Sequence, residues 1–177
     1  MNNALKIVGL GATVASLYLH LLTFFPSIKI SMGQVFYMHF IVLLLFGSVF
    51  LSLRGHVKYD KVAISMKSRL NAFLRVIKTI PNYAILIAIC SFLYAFINFS
   101  IFLTLMEGGS PEENNGIYYL HNHGQKIRDL TFSEYQRFLA YEVRGFSGHW
   151  IIFSLIPTIF YFYRDSILNA IKTNDGT

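Results

Sequence analysis

The sequence contains a single cysteine, Cys90, and this scarcity excludes one class of membrane enzyme. Cys90 lies within an apolar run, where an unpaired cysteine behaves as a small hydrophobic packing residue. A lone cysteine forms no disulfide within its own chain, and a thiol–disulfide oxidoreductase needs a cysteine pair. We therefore exclude an intramolecular disulfide and membrane thiol–disulfide exchange.

Charged residues are also scarce. They make up 14% of the 177 residues, whereas roughly 25% is usual in soluble domains. Hydrophobic residues account for 54%, and a soluble fold of this size cannot hide so many of them because small domains keep much of their surface in water. The composition predicts a single integral membrane domain covering residues 1–177.

Four apolar segments are long enough to cross a bilayer, which takes about 20 residues in a helix. We predict spans at about residues 5–25, 34–53, 82–105 and 147–163. The first is predicted to be an uncleaved span, because it exceeds the ~7–15 apolar residues of a signal peptide and no small-residue cleavage site follows it. The predicted fold class is an all-α integral membrane protein, a four-helix bundle with a small external hairpin-plus-helix insertion between spans three and four.

The segment 54–81 between the second and third spans carries seven basic residues against the single acid Asp60. Short basic loops remain in the cytoplasm, so we predict that this segment and both chain termini lie on the cytoplasmic side of the cell (inner) membrane. Apolar residues recur at helical spacing from Met66 to Ile80, which predicts a basic amphipathic helix in the plane of the leaflet. Residues 58–78 are predicted to bind anionic lipid. We predict no nucleic-acid partner, because the basic residues lie beside the apolar segments.

The external loop 107–146 carries six acids and four bases, and this small negative net charge allows it to be translocated. Ile117 to Leu130 predicts a β-hairpin with an Asn-His-Gly tip, and Thr131 to Glu134 has the sequence of a capping box that opens a helix. Gly145 is predicted to end that helix before the fourth span begins. Ahead of the hairpin, the Ser-Pro-Glu-Glu sequence is predicted to form at most one helical turn.

The predicted spans carry no acidic or basic residue at mid-depth apart from histidine. Ion and proton pumps usually place such residues inside the membrane, and the internal repeat that is typical of secondary transporters is not visible. Ser147-Gly148-His149 brings a hydroxyl near an imidazole, but neighbours in sequence are rarely partners in a triad. No complete set of nucleophile, base and orienting group can be assembled, so an enzyme is the less favoured interpretation.

Five of the six histidines are predicted to lie on the external side of the membrane. Three interpretations stay open. The first is hydrogen bonding across helices and to the loop backbone, and the second is a divalent metal site. The third is a haem held by His20 and His39 at matching depth on adjacent helices. The candidate metal ligands are His20, His39, His121, His123 and His149.

An ordered external unit without a complete catalytic set favours recognition over catalysis. We therefore predict a non-enzymatic membrane protein of the accessory, regulatory or immunity type, whose external loop contacts a partner protein. The alternative is a membrane protein that binds a metal ion or haem through its outer-side histidines and has a redox or sensing role. The candidate partner-binding residues are Tyr118, Tyr119, Arg128, Tyr135, Arg137 and Arg144.

Overall fold

The computed structural model describes residues 2–25, 32–54 and 66–172, and it is mostly helical. Within these ranges six helices and three strands follow one another. In chain order they are α1 (Asn2–Leu22), α2 (Met32–Arg54), α3 (Met66–Lys78), α4 (Asn82–Leu105), β1 (Ser110–Asn114), β2 (Ile117–Asn122), β3 (Gln125–Asp129), α5 (Phe132–Phe162) and α6 (Arg164–Lys172).

Four of these helices, α1, α2, α4 and α5, are long and apolar enough to cross a membrane. Their outward surfaces carry large apolar side chains such as Leu44, Leu51 and Phe96, which are 71%, 72% and 67% exposed. Contiguous apolar surface of this kind is unfavourable in water and stable in hydrocarbon. The predicted fold class, a polytopic membrane protein with four long apolar helices, is confirmed.

The helix α5 is the centre of the molecule. Of its spanning segment 56% is buried, whereas the segments in α1, α2 and α4 are 22%, 17% and 11% buried. All three of these helices pack against α5, and the buried residues Val42, Trp150 and Tyr161 join α2 to α5 in one apolar cluster. The spans are therefore three helices arranged around a fourth, and α5 fixes the position of the others.

The helix α5 runs without a break from Phe132 to Phe162. The prediction that Gly145 ends one helix and that a separate span begins at residue 147 is therefore wrong. A glycine inside a helix costs only about 1 kcal/mol relative to alanine, and here the absent side chain makes room for α4. A Cβ atom on Gly145 would lie 2.6 Å from the ring of Phe102. Close packing, not a helix end, accounts for this glycine.

Between α4 and α5 the chain forms an antiparallel sheet in the order β1-β2-β3. The hairpin of β2 and β3 confirms the prediction. The prediction of at most one helical turn at Ser-Pro-Glu-Glu is wrong, because Ser110–Asn114 forms the strand β1 and pairs with β2. The physical reason is the Asn115-Gly116 pair that follows, with φ of 53° and 79°. Positive φ at both central residues is the geometry of the type I′ turn, which closes two-residue hairpins.

The predicted capping box is present where α5 begins. The Thr131 hydroxyl accepts a hydrogen bond from the Glu134 backbone N–H, and the Glu134 carboxylate accepts one from the Thr131 backbone N–H. These bonds satisfy backbone donors that the first turn of a helix leaves without partners. The start of α5 is thereby fixed directly after β3.

At the end of the molecule away from the sheet, α3 packs against α6. The helical prediction for this segment is confirmed: Val76 packs against the core, whereas Leu70, Phe73 and Leu74 are 45–59% exposed. The position of α3 in the leaflet plane and its binding of anionic lipid stay predictions. Residues 58–65 of the predicted lipid-binding segment lie outside the described residues.

Candidate functional site

A line of paired polar side chains, here called the polar seam, joins α1 to α5 along the depth of the bundle. In lipid, such pairs hold helices together and satisfy groups that hydrocarbon cannot. Because α1 and α5 are antiparallel, residue numbers rise along α1 from pair to pair while they fall along α5. The pairs are Thr13 with Thr158 at 3.1 Å, Ser16 with Ser154 at 3.5 Å, His20 with Ser147 at 2.7 Å, and Thr23 with Arg144 at 3.3 Å.

His20 lies at the centre of the densest part of the seam and is 1% exposed. Nδ1 of His20 is hydrogen-bonded to the Ser147 hydroxyl at 2.7 Å. Nε2 of His20 is hydrogen-bonded to the Tyr94 hydroxyl of α4. This hydroxyl–imidazole pair is buried away from solvent and lipid, because Ser147 is 0% exposed. The arrangement ties three helices together at one point.

Arg144 closes the seam at the end nearest the sheet. Its guanidinium donates to the Thr23 carbonyl oxygen at 2.8 Å and lies 4.2 Å above the centre of the Phe24 ring. Its backbone carbonyl accepts from the Asn98 side-chain amide at 2.9 Å. Arg144 therefore lies between α1, α4 and α5, and its predicted contact with a partner stays a prediction.

His39 and His149 line a second feature, an apolar cleft of 260 Å³ between α2, α4 and α5. The Trp150 indole N–H donates to Nδ1 of His39 at 3.2 Å. Nδ1 of His149 donates to the Gly145 carbonyl at 2.9 Å, and its ring meets the Phe99 ring edge-to-face at 5.1 Å. Each of these two histidines therefore has one ring nitrogen occupied by a protein partner.

The sheet is held to the bundle by Arg128 of β3. Its guanidinium donates to Glu107, just after α4, at 2.9 Å and 3.1 Å, and to Glu134 of α5 at 2.9 Å. The hydrogen bonds from Arg128 hold the pKa of the Glu107 carboxyl below its ordinary value, and the two carboxylates raise the pKa of Arg128. This residue, predicted as a partner contact, clamps the sheet between the ends of two spanning helices.

Tyr118 and Tyr135 belong to the small core beneath the sheet. Their rings lie 4.8 Å apart, and both pack against the buried cluster that contains Leu120 and Phe138. Leu120 is 0% exposed. Both tyrosines are half-buried packing residues, and their predicted contact with a partner stays a prediction.

The opposite face of β2 carries Tyr119, which lies between residues of opposite charge. Its hydroxyl is hydrogen-bonded to Glu112 of β1, and the Lys126 ammonium of β3 lies 5.9 Å from its ring centre. Desolvation, followed by the hydrogen bond to Glu112, raises the pKa of Tyr119. Nε2 of His121 lies 3.3 Å from Glu112 on the same face. Arg137, the remaining predicted partner contact, is exposed on α5.

The five predicted metal ligands are distributed over three places. His20 lies in the seam, His39 and His149 line the cleft, and His121 and His123 belong to the sheet. Within residues 2–25, 32–54 and 66–172, no group of three or more histidine, cysteine, aspartate or glutamate side chains is placed to hold a metal ion. Nδ1 of His121 is buried without a hydrogen-bond partner in that part of the chain. The metal and haem hypothesis stays a prediction.

Tyr94 was missed at the sequence level, as was the pairing of Ser147 with His20. Tyr94 is one of many aromatic residues in α4, and nothing in the sequence distinguishes it from a residue that faces lipid. The signal that could have found the seam is spacing. Small polar residues of α5 recur at intervals of seven and four, at Ser147, Ser154 and Thr158, which places them on one helical face.

Comparisons with protein-family models, with curated proteins and with solved structures find no match to this chain.

Proposed function

We propose that this protein is a non-enzymatic polytopic membrane protein, of the accessory, regulatory or immunity type, whose extramembrane sheet contacts a partner protein. The observation that carries the proposal is the face of β2 around Tyr119. This tyrosine has an acidic neighbour on one strand, Glu112, and a basic neighbour on the other, Lys126. Protein interfaces are enriched in aromatic residues of this kind, which combine apolar area with a polar tip.

The firm attachment of the sheet supports the proposal. Arg128 ties it to the end of α4 and to the start of α5, and the Leu120 side chain is completely buried beneath it. A surface that is already ordered loses less conformational entropy on binding. The sheet is therefore suited to rigid recognition.

The free edge of β3 gives the partner a second point of attachment. In the order β1-β2-β3, the third strand is paired on one side only among the residues that the structure describes, whereas β1 at the other edge packs against α5. An unpaired edge presents backbone donors and acceptors to which an extended segment of another protein can add. Ile127, 46% exposed on this strand, adds apolar area.

A photo-crosslinking amino acid at position 119 tests the proposal, with position 118 as the matched control. The two tyrosines are neighbours on β2, but Tyr119 lies on the outward face and Tyr118 packs into the core beneath the sheet. We expect a discrete protein adduct from position 119 and none from position 118. Adducts to lipid or to the chain itself alone, from both positions, would contradict the proposal.

Replacement of residues 110–129 by a short linker is the complementary test. It removes the sheet and leaves both α4 and α5 complete, whereas a deletion of residues 117–144 would remove almost half of α5. We expect the partner found by crosslinking to be lost from detergent extracts while the protein still inserts into membranes. Partner retention without the sheet would place the contact elsewhere.

A further inference from the structure

The cleft between α2 and α4 lies over one face of α5 and within the part of the molecule that crosses the membrane. Its walls are Val42 and Leu43 of α2, Phe99 and Phe102 of α4, and Trp150 and Phe153 of α5. The lining positions of α2 and α4 fall in the halves of these helices that lead towards the sheet, and Trp150 and Phe153 lie near the middle of α5. An apolar space at this depth is bordered by lipid hydrocarbon, so an apolar chain from the bilayer can enter it.

The size of the cleft selects among possible occupants. An apolar cavity of about 150 Å³ holds one benzene ring, and pockets for drug-sized molecules begin at about 300 Å³. At 260 Å³, the cleft suits a segment of one linear chain. A partner helix, about 10–12 Å across with its side chains, would require α2 and α4 to separate.

His39 supplies the polar end of the site. The hydrogen bond from Trp150 occupies Nδ1 of His39, so the neutral imidazole carries its proton on Nε2. The other side-chain donors of the lining, on Trp150 and His149, already donate to protein acceptors. Within the described residues, Nε2 of His39 is the donor left for a ligand. The ester carbonyl of a phospholipid is an acceptor that lies next to an apolar chain.

We propose that the cleft binds one acyl chain of a phospholipid, whose ester carbonyl accepts a hydrogen bond from Nε2 of His39. This site is independent of the partner surface on the sheet. A lipid bound in this site would contact both α2 and α4, which each pack against α5.

Trp150 reports directly on the occupant, because it is the protein's single tryptophan, is 1% exposed and lines the cleft. The protein is purified in detergent micelles, in which detergent replaces the native lipid. Phosphatidylcholine with a brominated acyl chain, which quenches tryptophan fluorescence, is then added. We expect saturable quenching of Trp150 fluorescence at one lipid per chain, with the stoichiometry read by native mass spectrometry.

Two neighbouring substitutions separate the cleft from the general lipid surface. Leu43→Phe adds volume to the cleft wall, whereas Leu44→Phe adds the same volume at a position that is 71% exposed and is not part of the lining. Leu43→Phe should weaken the quenching affinity about tenfold, as overpacking of a filled site does, and Leu44→Phe should leave it unchanged. Quenching that does not saturate, or that is equal in the two variants, overturns the proposal. So does an unquenched Trp150 in a dimeric particle, which would show that a second copy fills the cleft.

Discussion

His20 shows at the scale of one residue how this chain uses polarity inside the membrane. Its two ring nitrogens are bonded to side chains from two other helices, Ser147 of α5 and Tyr94 of α4. A buried imidazole that is fully paired joins helices, whereas an unpaired one would pay the full cost of desolvation. The first of the three interpretations of the histidines, hydrogen bonding across helices, therefore describes His20.

Ser147→Ala removes the partner of Nδ1 of His20. We expect a loss of about 0.6–1.7 kcal/mol in the free energy of unfolding, between the mean and the largest value measured for hydrogen bonds between membrane helices. His20→Leu in combination should cost less than the sum of the two single changes, because both remove the same bond. The control is Ser100→Ala, whose exposed hydroxyl bonds only within its own helix. Additive losses in a denaturation series would show that the two residues are not coupled.

Gly145→Ala tests the reason given for the glycine in α5. The new Cβ would meet the Phe102 ring at 2.6 Å, so α4 must move away from α5, and overpacking of this kind costs about 1–3 kcal/mol. Gly47→Ala is the matched control, since Gly47 is also inside a spanning helix and a Cβ there meets nothing within 4 Å. Thermal unfolding in detergent should show a lower midpoint for Gly145→Ala than for the wild-type protein. Gly47→Ala should not lower the midpoint. Equal midpoints would mean that α4 and α5 are not in close contact here.

Sequence patterns predicted several residues correctly and failed on others for a physical reason. The capping box at Thr131 depends on residues three apart, and a local pattern predicts it. The role of Gly145 depends on Phe102, which lies 43 positions away in the sequence, so the same glycine suits a helix end or a helix crossing equally well. The partner contacts predicted for Arg128 and Arg144 stay predictions, and the contacts of Arg128 with Glu107 and of Arg144 with Phe24 join residues far apart in the sequence, so no local pattern predicts them.

At the scale of elements, the sheet depends on the clamp formed by Arg128. Its stability should fall in acid. Because the folded-state pKa of Glu107 is lowered, the contribution of this carboxylate is complete above the ordinary glutamate pKa of about 4.3. It is lost as the pH falls through the lowered value. The protection factors of the β2 and β3 amides, which compare measured hydrogen exchange with the intrinsic rate at each pH, should fall over that range in the wild-type protein.

Arg128→Gln should remove most of this pH dependence and accelerate the same amides at neutral pH, because neither carboxylate then has its cation. Arg137→Gln is the control, since it removes an equal charge from an exposed position near the sheet. If both variants keep the wild-type acid dependence, the sheet is held by its apolar core alone.

The two ends of α5 also belong to this scale. The helix begins at the sheet and ends beside α6, so it carries the extramembrane unit and the spanning core on one continuous axis. At 1.5 Å per residue its 31 residues reach about 46 Å, longer than the hydrocarbon core of about 30 Å. The sequence predicted a helix after Thr131 and a span from residue 147, but not that they form one continuous helix. A capping box and an apolar span each have a local sequence pattern, whereas the junction between them has none.

At the scale of the whole molecule, the fold separates two surfaces of different character. One end carries the sheet, with acids and bases in pairs such as Lys126 with Asp129. The other end carries α3 with Arg75 and Lys78 in its last turn. Basic segments are retained in the cytoplasm, so we propose that the sheet lies on the opposite side of the membrane and meets its proposed partner there.

The most direct test of this account is the sidedness of the sheet and of α3. Single cysteines at Asn122→Cys and Asn71→Cys, each in a Cys90→Ala background, are treated in intact cells with a maleimide that does not cross membranes. Both asparagines are exposed. The account predicts labelling at position 122 in intact cells, and at position 71 only after the membrane is opened. Labelling of both positions in intact cells would contradict the four-span arrangement with a sheet outside and a basic helix inside.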